Sequence, residues 1–180
     1  MKNIYKMLLV FIIMIVYAGC AQKAETSKMI PEKTDYTYEE SIKNNIDVGN
    51  VFGGRSTNSM GASQIDNYSF KKAILLSLKQ EGLYQENSQY RLEVSIINLD
   101  QPLIGLDMTV IMNVQYTLID DKNDKIIWRE LVAESYTATF SDAFVGITRL
   151  KLANEGTAKK NINMLLKKLS KLKIQNISLK

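Results

Sequence analysis

Few residues of this chain have side chains that could do chemistry of their own. Its 180 residues include no histidine and a single cysteine, Cys20. Without histidine there is no Ser-His or Cys-His pair, no imidazole base near pH 7 and no histidine-ligated zinc. Carboxylates are common, yet Asp100, Asp107, Glu130 and Glu134 lie on predicted strands or at strand ends and form no evident pair. We therefore expect a protein that is not an enzyme, with no catalytic residue, no metal site and no cofactor.

The residues before Cys20 indicate what its thiol is for. Two lysines are followed by ten apolar residues, 7–16, and then by Ala18 and Gly19. This order of charge, apolar run and small residues is typical of a secretory signal peptide. The run is also shorter than the roughly 20 residues of a transmembrane helix, which makes a membrane-spanning anchor the weaker alternative. An ordinary signal peptide with a free cysteine is the other alternative, but an unpaired thiol is a liability in an oxidising compartment.

Residues 16–20, Val-Tyr-Ala-Gly-Cys, resemble the lipobox of bacterial lipoproteins. In that family the cysteine is diacylated and becomes the new N-terminus after cleavage; Leu usually stands where this chain has Tyr17. The resemblance implies that Cys20 is the lipidation site and that its acyl chains anchor the protein to the membrane, since two or three chains hold a protein stably. By resemblance to enterobacterial sorting, Ala21 after the cysteine implies the outer membrane, with the domain facing the periplasm.

The chain divides into three predicted parts. Residues 1–19 are the signal peptide. Residues 20–45 are polar, and a composition that buries so little apolar surface predicts a lipidated flexible tether. Residues 46–180 suffice for a single domain with a sizeable core. Removing Lys2 and Lys6 with the signal peptide leaves 21 of 23 basic residues against 19 acidic ones, and this near balance argues against nucleic acid as a partner.

Hydrophobic periodicity predicts the element order β-α-β-β-β-α. A short alternating stretch near 46–52 predicts the first strand, and a connection rich in Gly and Ser follows at 53–63. That connection lacks the Gly-Lys-Ser/Thr ending of a P-loop, which makes phosphate binding the weaker reading of it. A helix of about four turns follows, with Asp66 or Asn67 as its N-cap and Gly82 as its C-terminal stop.

Strands predicted at 90–99 and 106–120 have a period of two and are joined by a turn at Pro102 and Gly105. A polar hairpin leads to a fourth strand, whose imperfect alternation predicts a bulge or an edge position. In the strand at 106–120, one register turns a complete apolar set toward the helices. That set is Met108, Val110, Met112, Val114 and Leu118.

The last predicted helix runs from about Leu150 to Leu172 and packs an apolar stripe on the sheet. Its other side is basic, because residues 151–180 hold eight lysines and one acid, Glu155. On a lipid-anchored domain such a surface could contact anionic lipid or lipopolysaccharide. The alternative is a solvated helix end, where lysine also suits the helix dipole. The candidate contacts for an anionic surface are Lys159, Lys160, Lys167, Lys168 and Lys171.

These elements predict an α+β fold with two helices packed on one face of a mainly antiparallel sheet. The order, together with stretches such as FKKAILLSLKQEGL and RLKLANEGTAKKNINMLLKKL, resembles small bacterial envelope lipoproteins of the YajG type. A more distant resemblance is to LptE-like and PqiC-like auxiliary lipoproteins. Both cover roughly residues 46–172 and imply an accessory or interaction component of an envelope assembly or transport system, with another envelope protein as its partner. The alternative is a carrier of an amphipathic ligand such as lipid, held between sheet and helices beside Met108 and Met112.

Overall fold

The computed structural model describes residues 23–57 and 63–174; Cys20 and the predicted signal peptide lie outside these ranges. A short helix α1 (Thr26–Met29) and a 3₁₀ turn (Glu40–Ile42) precede the first strand. The elements that follow are β1 (Ile46–Phe52), α2 (Asn67–Gln80), β2 (Tyr90–Asp100), β3 (Met108–Asp120), β4 (Lys125–Ala138) and α3 (Gly146–Leu169). None of the helices in these two ranges has the length and apolar character needed to cross a bilayer.

The four strands form one sheet in the order β1-β2-β3-β4. β1 and β2 are parallel, with α2 as their crossover, whereas β2-β3 and β3-β4 are antiparallel. Both α2 and α3 contribute side chains to the main core cluster on one face of the sheet. The predicted α+β fold, with two helices on a mainly antiparallel sheet, is confirmed.

Local sequence signals account for the ends of α2. The carboxylate of Asp66 caps the helix by accepting a 2.8 Å hydrogen bond from the backbone N–H of Ser69. Gly82 adopts a φ of +70°, a conformation that glycine reaches without steric cost and that commonly ends a helix. Between these ends Phe70 and Leu78 are fully buried, so the predicted helix is confirmed together with its buried face.

The register predicted for β3 is also confirmed. Val110, Met112, Val114 and Leu118 are fully buried, and Met108 is 5 % exposed. On the other face Thr109 is exposed and Gln115 is partly exposed. β4 is an edge strand, and its pairing with β3 shifts by one position near Leu118, so the predicted edge and irregularity are both present.

The structure differs from the sequence prediction for the described part of the predicted tether, residues 23–45. This segment packs on the domain: Met29 and Ile42 are fully buried, Ala24 is 1 % exposed and Tyr38 is 6 % exposed. The carboxylate of Glu81 holds it further, accepting hydrogen bonds of 2.8 Å from the backbone N–H and the hydroxyl of Thr34. The polar composition of this segment predicts only that it cannot fold alone. The segment is ordered nevertheless, because its few apolar side chains complete a core that the domain already provides.

Candidate functional site: the apolar tip

Two loops meet at one end of the sheet, where β2 and β4 end and β3 and α3 begin. We call loops 101–107 and 139–145 the apolar tip, because both present large apolar side chains to solvent. Leu103 is 94 % exposed and Ile104 is 91 % exposed. The other members are Leu106 and Phe144, 75 % and 81 % exposed, and the half-exposed Phe140 and Val145. Contiguous exposed apolar residues of this kind commonly mark an interaction surface.

Arg149, in the first turn of α3, ties the two loops together although it is only 5 % exposed. One terminal nitrogen, Nη1, donates to the carbonyls of Ala143 at 2.7 Å and Phe144 at 2.8 Å. The other, Nη2, donates to the carbonyl of Gly105 in the opposite loop at 3.2 Å. The guanidinium carbon also lies 5.3 Å from the centroid of the Phe140 ring, within cation-π range. The tip is therefore one structural unit.

The acidic side chains of the tip are directed to its own backbone. Asp107 accepts a 3.1 Å hydrogen bond from the backbone N–H of Phe140 and so links the two loops a second time. Asp142 accepts hydrogen bonds from the backbone N–H and the hydroxyl of Thr139, and these bonds hold the pKa of Asp142 below its ordinary value. The carboxylates thus stabilise the loops that carry the exposed apolar side chains.

The N-terminal chain joins the domain at the same end. The backbone N–H of Ala24 donates to the carbonyl of Gln64 at 3.3 Å. The side chain of Gln64 donates to that of Gln101, the first residue of loop 101–107, at 2.9 Å. Gln101 then donates to Asn154 of α3 at 2.6 Å, and Asn154 is fully buried. A continuous set of hydrogen bonds therefore connects the start of the described chain to the apolar tip.

Glu155 of α3 holds the next residue of the N-terminal segment. Its carboxylate accepts a 2.8 Å hydrogen bond from the backbone N–H of Glu25, and Lys151 lies 3.8 Å away. Glu155 is 4 % exposed, and this burial raises its pKa above the ordinary value despite the hydrogen bond and the nearby lysine. The Glu155 carboxylate therefore helps to hold the N-terminal segment against α3 at Glu25.

The five lysines predicted to contact an anionic surface differ in their contacts within the domain. Lys159 lies 3.8 Å from the carboxylate of Glu32, in the N-terminal segment. Lys160 donates to the carbonyl of Ser135 on β4 at 3.0 Å, and Lys168 forms an ion pair with Glu130 of the same strand. Lys167 and Lys171 are exposed near the C-terminal end of α3, which lies away from the apolar tip because α3 begins at the tip.

An open cleft of about 490 Å³ lies between α1, α3 and β4 and reaches the apolar tip at Asp142. Lys28, Lys159 and Lys160 contribute three basic groups to it against the two acids Asp142 and Glu155, and Tyr136 contributes part of an aromatic ring. α3 approaches this ring closely at Gly156, where an added Cβ would lie 2.5 Å from it. By contrast, the methionines of β3 that could have lined an adaptable pocket are packed: both belong to buried core clusters.

Sequence reasoning missed several residues that build this region. Arg149 lies one residue before the predicted start of the last helix and was not singled out, although it is buried. Asn154 and Asn161 lie seven residues apart on the buried side of α3, and Asn161 accepts a 2.7 Å hydrogen bond from the hydroxyl of Tyr116. Their spacing within the apolar stripe was the available signal, because polar residues at stripe positions must find buried partners. Among the described residues, no cluster of three or more acidic, cysteine or histidine side chains could hold a metal ion.

Comparison with known proteins adds information on the fold. No family model matches the chain, and no curated protein matches it either. Protein XCC0632 from Xanthomonas campestris, of family DUF330, matches with a TM-score of 0.54 and 8 % identity, over 73 % of this chain and 88 % of its own. Protein CT253 from Chlamydia trachomatis matches with a TM-score of 0.52 and 8 % identity, over 71 % of this chain and 96 % of its own. A candidate lipoprotein from Caulobacter crescentus CB15 matches with a TM-score of 0.51 and 16 % identity, over 70 % and 88 % of the respective chains. At these identities the similarity is one of fold.

Proposed function

We propose that this chain is a bacterial envelope lipoprotein, anchored through acylated Cys20 in the outer membrane with its domain facing the periplasm. In this proposal it has no catalytic activity and acts as an accessory component of an envelope assembly or transport system, as the resemblance to YajG-type lipoproteins implies. Its partners are the membrane, through the anchor, and another envelope protein.

The observation that carries the proposal is the position of the single cysteine. Cys20 follows an apolar run and two small residues, and only four positions later Ala24 is already docked on the domain. The fold of that domain is shared with a candidate lipoprotein from Caulobacter crescentus CB15, which supports the same assignment. A bilayer anchor at residue 20 would hold the whole domain directly at the membrane.

The lipid anchor is tested by Cys20→Ser with metabolic labelling by a fatty acid. Because the sequence contains no other cysteine, this variant has no thiol left that could be acylated. We expect label in the wild type and none in the variant, which should persist as an uncleaved or mislocalised precursor. Equal labelling of both chains would refute the lipoprotein assignment.

The accessory role is tested by crosslinking in intact cells, followed by mild detergent extraction and purification of the lipidated chain. A defined envelope protein should be recovered in a fixed ratio from the wild type and should be absent from the Cys20→Ser preparation. Recovery of the chain alone, with efficient crosslinking of a known envelope complex in the same sample, would contradict the accessory role.

A second function, binding of an amphipathic ligand, is favoured by the cleft beside Tyr136. Its basic groups, next to apolar atoms of Tyr136 and Leu152, suit a ligand with an anionic head and an apolar tail. Mass spectrometry of the purified protein should then find retained lipid that is lost from a Lys159→Gln, Lys160→Gln double variant. A Lys167→Gln, Lys171→Gln double variant is the matched control, since it removes the same charge from the same end of the chain outside the cleft. No retained lipid in the wild type would exclude this second function.

A further inference from the structure

The apolar tip carries side chains that the fold itself does not use. Leu103 and Ile104 are more than nine-tenths exposed, and Phe144 is 81 % exposed, so folding removes little of their surface from water. Arg149 and Asp107 hold the two loop backbones together through hydrogen bonds, and Phe144 adds an edge-to-face contact with the Phe140 ring at 5.3 Å. None of these links involves Leu103 or Ile104. Apolar surface left in water gains about 25 cal/mol per Å² when another phase or partner covers it. The exposed side chains therefore favour an occupant outside the chain.

The length of chain between the proposed anchor and the domain indicates what lies against the apolar tip. Ala24 is four residues after Cys20, and an extended chain spans at most about 3.6 Å per residue, so the anchor lies within about 14 Å of the docked Ala24. Ala24 connects through Gln64 to Gln101, two residues before Leu103. An acylated Cys20 would therefore place the bilayer surface close to the apolar tip and far from the opposite end of the sheet.

We propose that the apolar tip inserts its side chains into the interface of the bilayer that holds the lipid anchor. The inference rests on the proposed lipidation of Cys20 and adds a second, protein-borne membrane contact. Protruding leucine, isoleucine and phenylalanine side chains on loops suit a soft interface, where binding increases with the apolar area that is buried. The anchor and the tip together fix the orientation of the domain, which a single point of attachment would leave free.

Charges near the tip agree with this orientation. Lys23 and Lys28 are exposed on the N-terminal segment, and Lys28 shares a cleft with Ala138 and Asp142 at the end of β4. Basic residues beside inserted apolar side chains add attraction to anionic lipid headgroups. The acidic groups of the tip, Asp107 and Asp142, are already engaged by backbone N–H groups.

The opposite end of the sheet should then lie in water. β3 has 13 residues, which correspond to about 40 Å at 3.3 Å per residue, and it leads from the tip to the hairpin that contains Asn123. Lys171, just beyond the C-terminal end of α3, is also at that end. This geometry separates insertion of the tip from contact through Lys167 and Lys171, because the two surfaces cannot both be nearest to the anchor.

Depth measurements on the lipidated full-length chain test the proposal. The mature chain has no free thiol once Cys20 is acylated, so one introduced cysteine carries one environment-sensitive fluorophore. Ile104→Cys and Phe144→Cys report on the tip, and both positions are exposed enough to accept the label without loss of folding, which thermal melts verify. Asn123→Cys and Lys171→Cys are the controls. Each protein is reconstituted into phosphatidylethanolamine and phosphatidylglycerol vesicles that contain a spin-labelled lipid quencher.

We expect the lipid quencher to act severalfold more strongly on labels at 104 and 144 than at 123 and 171. In a Leu103→Ser, Leu106→Ser background, the quenching at 144 should fall. Labels at 104 and 144 that are as accessible to an aqueous quencher as the label at 123 would overturn the proposal. Stronger lipid quenching at 171 would overturn it in favour of the lysines.

Two further outcomes separate the possible causes of failure. The labels at the tip could be accessible to the aqueous quencher in vesicles but protected from it in the native envelope. That result would indicate that a protein partner, and not the bilayer, covers the tip, and it would overturn the inference. Intact mass spectrometry of the same samples reports acylation of Cys20. Acylation with an aqueous tip contradicts this inference alone, whereas absence of acyl chains contradicts the proposed function and the inference together.

Discussion

The two ends of the sheet are both open to solvent, but they present opposite chemistry to it. At the hairpin between β3 and β4 the exposed residues are Asp121, Lys122, Asn123 and Asp124. At the apolar tip they are leucine, isoleucine, phenylalanine and valine. Residues 121–124 close this end without a large apolar side chain, although Ile126 just beyond them is 46 % exposed. Strand connection as such therefore does not require the apolar residues of the other end. Closing the sheet therefore does not account for the composition of the tip, which agrees with the proposed membrane contact.

Each end is nevertheless held by one buried charged residue. Asp120 is 6 % exposed and accepts hydrogen bonds from the backbone N–H of Lys122 at 3.0 Å and the side chain of Asn123 at 2.9 Å. Arg149 at the tip donates to carbonyls in both loops. An acid therefore satisfies donors at the polar end, and a base satisfies acceptors at the apolar end. The two ends are therefore held by similar hydrogen bonds although their surfaces differ in polarity.

The largest effect is expected at Val114, on the strand that joins the two ends. Val114 is fully buried, so Val114→Asp would place an unpaired charge in the core or displace a helix, at a cost of several kcal/mol against a total stability of about 5–15 kcal/mol. We expect this variant to lose cooperative unfolding, with both ends losing their structure together. Gln115→Asp, one residue away on the open face, should change stability by no more than about 1 kcal/mol. Thermal melts that show equal stability for the two variants would contradict the register of β3.

A smaller and more local effect is expected for Arg149→Met. It leaves the carbonyls of Gly105, Ala143 and Phe144 without their donor, which should cost about 2–3 kcal/mol. Amide hydrogen exchange should accelerate in loops 101–107 and 139–145 and stay unchanged at the polar hairpin. Arg129→Met is the matched control, because Arg129 is exposed on β4. Faster exchange at both ends, or at neither, would show that Arg149 does not act as a local clamp.

At the polar hairpin the expected effect depends on pH. Burial opposes ionisation of Asp120, but hydrogen bonds from Asn123, Lys122 and Gln89 outweigh it and lower its pKa. A carboxyl whose pKa is lower in the folded chain contributes stability above its unfolded pKa, near 4, and loses that contribution as pH falls through the folded value. Asp120→Asn should therefore cost about 1 kcal/mol at neutral pH and progressively less below about pH 4. Denaturant unfolding across pH measures this; a cost that does not depend on pH would contradict the role of the ionised group.

The contrast between the ends also marks the limit of what the sequence could predict. The buried face of β3 and the cap at Asp66 follow from local patterns, namely a period of two and a polar residue at a helix start. Burial of Ala24, Met29 and Ile42 could not be predicted in this way, because these residues are widely spaced and follow no period. The turn at 101–107 was predicted from Pro102 and Gly105. What the turn faces is decided by tertiary placement, which also puts the N-terminal segment next to it.

The smallest effect on stability is expected from exchanging the chemistry of the two ends. Ile104 is 91 % exposed in the folded chain, so its side chain meets nearly the same water before and after folding, and Ile104→Ser should change the free energy of unfolding by no more than about 0.5 kcal/mol. Lys122→Ile at the polar hairpin should be similarly mild, because the Lys122 side chain is exposed and its backbone N–H, which donates to Asp120, is kept. The two variants should differ in surface behaviour: retention on a hydrophobic interaction column should fall for Ile104→Ser and rise for Lys122→Ile.

A loss of more than about 1 kcal/mol on Ile104→Ser alone would mean that the tip packs on itself, because surface substitutions without packing partners stay within about half that value. The apolar residues would then serve the stability of the loops, as Arg149 does. If Ile104→Ser is as stable as the wild type while the two variants change retention in opposite directions, the exposed apolar residues determine the surface chemistry of the tip and not its stability. A single side chain would then change the surface of one end of the sheet without changing the stability of the fold.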